Sequence, residues 1–165
     1  MSLPTVVTDL GKLKEHPALA ALISWNSSSV QQARFDRDEL TVWIDRALVR
    51  EACAVLRENP VCPMNFLADV TALDWYPAEP RFEVVYHLLS ITNKERLRLK
   101  VKVDSSSPVV ESVTSVWPGA NFFEREVFDL FGIRFQGHPY LRRIMMPEDW
   151  EGHPLRKDYP VEGYR

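Results

Sequence analysis

The stretch 81-RFEVVYHLLSITNKERLRLKVKV-103 decides the fold. In its second half Leu97, Leu99, Val101 and Val103 alternate with Arg98, Lys100 and Lys102, so a strand there has one apolar face and one solvated face. The first half is rich in β-branched and aromatic residues, and Asn93-Lys94 supplies the turn between the two. An antiparallel hairpin with a single buried face needs helices to cover that face, and the flanking sequence provides them. Upstream, 17-PALAALISW-25 opens with Pro at a first helical position and brings Leu19, Leu22 and Ile23 to one side. The runs 30-VQQARF-35 and 39-ELTVWI-44 around 36-DRD-38 read as a second hairpin. Asp45 is placed to cap the helix that follows, where Leu48, Ala52, Val55 and Leu56 recur at helical spacing until Pro60 and Pro63 stop it. Residues 66–76 read as one more strand.

The predicted class is α+β: a two-layer domain with a mixed, mostly antiparallel sheet of about five strands and helices mainly on one face. A globular domain is expected over residues 1–132, followed by an extended irregular tail over 133–165. With 165 residues, one core is the natural count. A net charge of −3 supplies no general field for nucleic acid, and the Arg98/Lys100/Lys102 row reads as a solvated sheet face. There is no apolar run long enough to span a bilayer and no secretory pattern at the N-terminus, so a cytoplasmic chain is expected. Cys53 and Cys62 suggest neither a disulfide framework nor a redox pair.

Beyond the sheet, 122-FFEREVFDLF-131 reads as a helix capped by Asn121 and ended by Gly132 in the left-handed conformation. Arg125 and Asp129, four apart, are expected to pair, and Glu124 and Glu126 point to different sides, which is an ordinary charged helix surface rather than a facing acid/base pair. The tail is interrupted by Pro139, Pro147, Pro154 and Pro160, so helix or central strand cannot dominate it, yet it carries Tyr140, Leu141, Ile144, Met145, Trp150 and Leu155. Fixing its backbone costs on the order of 30 to 60 kcal/mol at roughly 1 to 2 per residue. An irregular segment is expected to offer few internal contacts in return, so its anchors should bury against a neighbouring subunit. Arg142, Arg143, Arg156 and Lys157 stand near Glu148, Asp149, Glu151 and Asp158, a balance suited to ion pairs across an interface. His138 and His153, each in Gly-His-Pro, could join Glu124, Glu126 or Asp158 in a hydrolase or metal site, but their spacing matches no established ligand or triad pattern.

The segment 124-EREVFDLFGIRFQGHPYLRRIM-145 resembles the signature of the C subunit of respiratory complex I, the proton-translocating NADH:quinone oxidoreductase. Glu124, Arg125 and Glu126, then Asp129 with Leu130 and Phe131, then His138, Arg142, Ile144 and Met145 carry the likeness, and the match extends over about 117–160. The resemblance implies a non-catalytic peripheral-arm subunit with no catalytic, cofactor-binding or metal residue of its own. Its parent complex uses NADH, FMN, iron–sulfur clusters and quinone. Its implied partners are the quinone-site subunit and a cluster-bearing neighbour, on the cytoplasmic side of the membrane. Glu124, Arg125, Glu126, Asp129, His138, Arg142, Arg143, Arg156 and Asp158 are the expected partner contacts. An equivalent subunit of a hydrogenase-like or other quinone dehydrogenase complex is the alternative.

Overall fold

The computed structural model describes residues 6–163. Helices α1 (Leu10–Leu13) and α2 (Pro17–Trp25) lead into β1 (Val30–Asp36) and β2 (Glu39–Ile44), then α3 (Val49–Arg57). β3 (Phe66–Asp74), β4 (Phe82–Ser90) and β5 (Glu95–Val103) follow, then β6 (Val109–Glu111), α4 (Ala120–Phe131) and β7 (Arg134–Gln136). The main sheet runs β1-β2-β5-β4-β3 and is antiparallel except where β2 lies parallel to β5. The expected five-stranded mixed sheet is therefore present, and both hairpins pair as the sequence pattern requires.

Each hairpin turn has a local cause. Arg37 and Asp38 both adopt positive φ, 53° and 61°, the backbone of a two-residue turn whose twist matches the strands it joins. Lys94 turns the β4–β5 hairpin at φ 58°. The cap predicted at Asp45 also forms, with its Oδ1 accepting from the Ala47 N–H, but on a 3-10 turn over Arg46–Leu48 that precedes α3.

Alternation then sorts the sheet into two faces. Phe82, Val84, Tyr86 and Leu88 of β4 join Leu97, Leu99, Val101 and Val103 of β5 in one apolar cluster with Leu19 and Leu22 of α2 and Ala52, Cys53 and Leu56 of α3. Each large apolar side chain so buried contributes about 1.5 to 3 kcal/mol. On the opposite face Glu83 accepts from Trp43 Nε1 and Lys100 Nζ, both at 2.7 Å, and Arg98 pairs with Glu39. Arg98 and Lys100 of the basic row are thus matched by carboxylates on neighbouring strands, and Lys102 is exposed.

A small parallel pair, β6 with β7, brackets α4, and α4 itself packs along β3. Ile133 and Phe135, just past α4, are buried in the main core. Gly132 ends α4 at φ 73°, as predicted, and its N–H donates to Phe128 O at 2.9 Å. The start of the helix differs from expectation: Gly119 is the N-cap, no side chain caps it, and Asn121 lies inside the first turn.

Candidate functional site

Helix α4 presents three different faces, and one of its three acids goes to each. Ala120, Glu124, Val127 and Phe131 recur at helical spacing and point into the core. Glu124 is fully buried, accepting from Ser112 Oγ at 2.6 Å and from the Val113 N–H at 2.7 Å. Burial pushes its carboxyl up to about 7, against the pull of those two donors. Glu126 is exposed. The reading of α4 as an ordinary charged surface therefore fails for Glu124, whose place on the Ala120/Val127/Phe131 face was visible in the spacing.

Asp129 is also fully buried, on the face that meets the tail. The backbone N–H groups of Ile144, Met145 and Met146 donate to its Oδ2 at 2.9, 2.7 and 2.9 Å, and Arg143 Nη1 donates to Oδ1 at 2.7 Å. Burial alone would raise the carboxyl, but the three N–H groups and Arg143 outweigh it and hold it below its ordinary value. The predicted Arg125–Asp129 pair does not form. Arg125 instead donates to the carbonyls of Arg142 and Arg143, at 3.2 and 3.1 Å, because Asp129 has turned toward a better-matched cluster of donors. Arg143 also donates to the carbonyls of Trp150 and Gly152.

A second clamp fastens the tail's end. Arg81 is buried between Asp74, which it meets through Nε at 2.9 Å and Nη2 at 2.8 Å, and Asp158, reached at 2.9 and 2.6 Å. The Lys157 N–H donates to Asp74 Oδ2 at 2.8 Å. Burial opposes ionisation of Asp74, yet Arg81 and the N–H groups of Lys157 and Tyr76 bring its carboxyl down to about 2. Between the clamps, Leu155 N–H donates to Leu130 O at 3.0 Å and Arg156 Nε to Phe131 O at 2.6 Å. Sequence reasoning overlooked Asp74, Arg81 and Ser112, since no local pattern ties Arg81 to Asp158 across 77 positions.

These bonds correct the expectation that the tail finds few contacts within its own chain. Irregular backbone leaves many N–H groups and carbonyls outside any ladder, and here two buried carboxylates, two arginines and the end of α4 satisfy them. The side chains are treated differently. Tyr140, Met145 and Leu155 remain 57%, 62% and 50% exposed, and Phe122 on α4 is 63% exposed. Arg142 stacks on the Tyr140 ring with its guanidinium carbon 4.4 Å from the centroid.

Both Gly-His-Pro histidines are built into turns. His138 Nε2 donates to Asn121 O at 3.1 Å while its Nδ1 accepts from the Tyr140 N–H at 3.0 Å, so both ring nitrogens are engaged. His153 Nδ1 donates to Asp129 O at 2.8 Å, and its ring lies against Gly132, where an added Cβ would come within 2.5 Å of Nε2. Burial lowers both imidazoles, favouring the neutral ring that the accepting Nδ1 of His138 requires. Among the described residues no group of three or more His, Cys, Asp or Glu side chains is placed to hold a metal ion. The buried Cys53 and Cys62 are two thiols where an iron–sulfur cluster takes four ligands, so the donors in this chain do not fit one.

A mixed α+β sheet, an acidic and aromatic helix, and an irregular arm fastened across that helix define the class of this protein, a two-layer α+β domain with a tied-down tail. The chain belongs to the family of the respiratory-chain NADH dehydrogenase 30 kDa subunit, whose sequence model matches residues 42–165. It is 54% identical over 125 residues to the NADH-quinone oxidoreductase C subunit of Roseiflexus sp. strain RS-1, covering 76% of this chain and 72% of that one. Against the corresponding C subunit of Geobacter sulfurreducens it is 49% identical over 138 residues, 83% of this chain and 84% of the relative. A solved trypsin-resistant fragment (1–134) of Nqo5 superposes with a TM-score of 0.54 at 38% identity, over 62% of this chain and 83% of the fragment. A chain of the archaeal membrane-bound sulfane sulfur reductase shares the fold, with a TM-score of 0.72 at 24% identity over 87% of this chain and 84% of that one.

Proposed function

We propose that this chain is a non-catalytic structural subunit of the peripheral arm of an NADH:quinone oxidoreductase, and that residues 133–165 form its docking arm. The observation that carries the reading is the division of labour in the arm. Its backbone is fastened to its own domain at Asp129 and Asp74, and Ile133 and Phe135 root it in the core, while Tyr140, Ile144, Met145, Trp150 and Leu155 are left to solvent. Holding the backbone in advance lowers the ordering cost of association, and Tyr, Trp, Met and Arg are the residues that anchor interfaces. Of the nine residues expected to contact partners, Asp129, Arg125, Arg143, Arg156, His138 and Asp158 shape the arm, Glu124 lies in the core, and Glu126 and Arg142 are exposed, open to a partner.

In this reading NADH, FMN, the iron–sulfur clusters and quinone are held by other subunits, and the arm helps keep the quinone-site subunit and a cluster-bearing neighbour in register. No helix among the described residues is long and apolar enough to cross a membrane, so attachment on the cytoplasmic side would run through those partners. The test is to place Tyr140→Ala and Met145→Glu in the intact complex and measure assembled, quinone-reducing enzyme on native gels. Both should lower the amount of complex while the isolated variant chains stay folded. Wild-type amounts of active complex from both would refute the docking role.

A further inference from the structure

Glu124 is the one fully buried carboxylate in the site that meets no cation: Asp129 has Arg143 and Asp74 has Arg81, but among the described residues Glu124 makes no ion pair. Its oxygens face only neutral donors. Ser112 Oγ, 2.6 Å from Glu124 Oε2, is in turn 2.8 Å from Thr114 Oγ1, and Thr114 is partly exposed. Three oxygens therefore run in hydrogen-bonding sequence from the core to the surface.

We infer that Glu124 is a proton-binding site in the core, loaded and emptied through the hydroxyl chain Ser112–Thr114. In the loaded state Glu124 Oε2–H donates to Ser112 Oγ, and the Ser112 hydroxyl donates to Thr114 Oγ1. On release, a base in solvent takes the Thr114 hydroxyl proton, Thr114 takes the proton of Ser112, and Ser112 takes that of Glu124. Each hydroxyl ends with one proton and one negative charge rests on Glu124. The Ser112 and Thr114 hydroxyls now point inward, and Val113 N–H donates to Oε1 throughout.

The surroundings leave that charge uncompensated. From α3 the titratable neighbour is Cys53, with Glu51 beyond it, and from β4 it is Tyr86. The Tyr86 hydroxyl and Trp117 Nε1, both buried, have no hydrogen-bond partner among the described residues. β3, which packs along α4, offers no free cation: its Asp74 is held by Arg81, and its Asp69 lies opposite His87 in the strand pairing. On α4 itself Arg125 is committed to the carbonyls of Arg142 and Arg143, and Arg134 on β7 is exposed. Burial accordingly holds the carboxyl near 7, where ordinary changes of pH load and unload it. The Ser112 N–H donates to Gln136 O at the end of β7, so Ser112 joins the site to the strand that follows α4.

The experiment is a carboxyl-carbon NMR titration of the full chain labelled at glutamate. One carboxyl should titrate near pH 7 in fast exchange and be missing from Glu124→Gln. Thr114→Val, which keeps shape at a partly exposed position, should leave the midpoint in place and move the same signal into slow exchange. The inference is overturned if every glutamate titrates in the ordinary range, or if Thr114→Val leaves exchange unchanged. Should Glu124→Gln fail to fold, the wild-type titration and the Thr114→Val comparison decide it alone.

Discussion

Replacing Asp129 by Asn tests the clamp that defines this site. The variant keeps the shape of the side chain and one oxygen, which can stay under the N–H groups of Ile144, Met145 and Met146. The amide nitrogen then faces Arg143 Nη1, so an attraction across 2.7 Å becomes an encounter of two donors. Removing one partner of a buried ion pair costs about 3 to 5 kcal/mol, and the three N–H bonds lose their charge-assisted part as well. The pair is 16% and 0% exposed, so solvent screening reduces this only modestly, and about 3 kcal/mol is a conservative figure. The loss should fall on the arm, because the core of the sheet lies on other residues. Amide hydrogen exchange reads it directly: protection at Ile144, Met145 and Met146 should drop about a hundredfold, while β5 amides keep theirs. Unchanged protection at the three amides in Asp129→Asn would refute the clamp, as would a uniform loss that includes β5.

The two carboxylates on Arg81 should behave unequally: Asp74, whose side chain is fully buried, should cost about 3 to 5 kcal/mol as Asp74→Asn, and the 44% exposed Asp158 about 0.2 to 1 kcal/mol as Asp158→Asn, in urea unfolding. Gly132→Ala combines a left-handed backbone at φ 73° with a Cβ driven against His153 and Arg156, and should cost roughly 2 to 4 kcal/mol, seen as a lower Tm and faster exchange at Leu155. Acid should also loosen the arm. The folded-state value of Asp74, about 2, lies below its usual 3.8, so its contribution is full above about pH 4 and lost as pH falls toward about 2, and Asp129, also held below its ordinary value, loses its contribution in the same direction. Urea midpoints measured over that window should fall in the wild type and fall less in Asp74→Asn.

Much of the scaffold was legible because it depends on local rules. Alternation set the faces of β4 and β5, turn chemistry placed both hairpins, and Gly132 announced the end of α4. The sequence also singled out the residues of the 124–145 segment through their likeness to a known signature, without giving their contacts. It placed a cap at Asn121, which failed because the helix starts from an N-cap two residues earlier, at Gly119, and an i,i+4 pair at Arg125 and Asp129, which failed because each found other partners available only in the folded chain.

What the amino-acid sequence determined by itself was the α+β layering and the helix with its charged and aromatic faces. Tertiary structure alone decided that Asp129 and Asp74 fasten the arm's backbone, that Arg81 reaches Asp158, and that Glu124 is closed in the core beside Ser112. The physical reason lies in range. Periodicity and turn preference act over a few residues, whereas a buried carboxylate takes whichever donors the whole fold brings within 3 Å, and those donors stand up to 83 positions away.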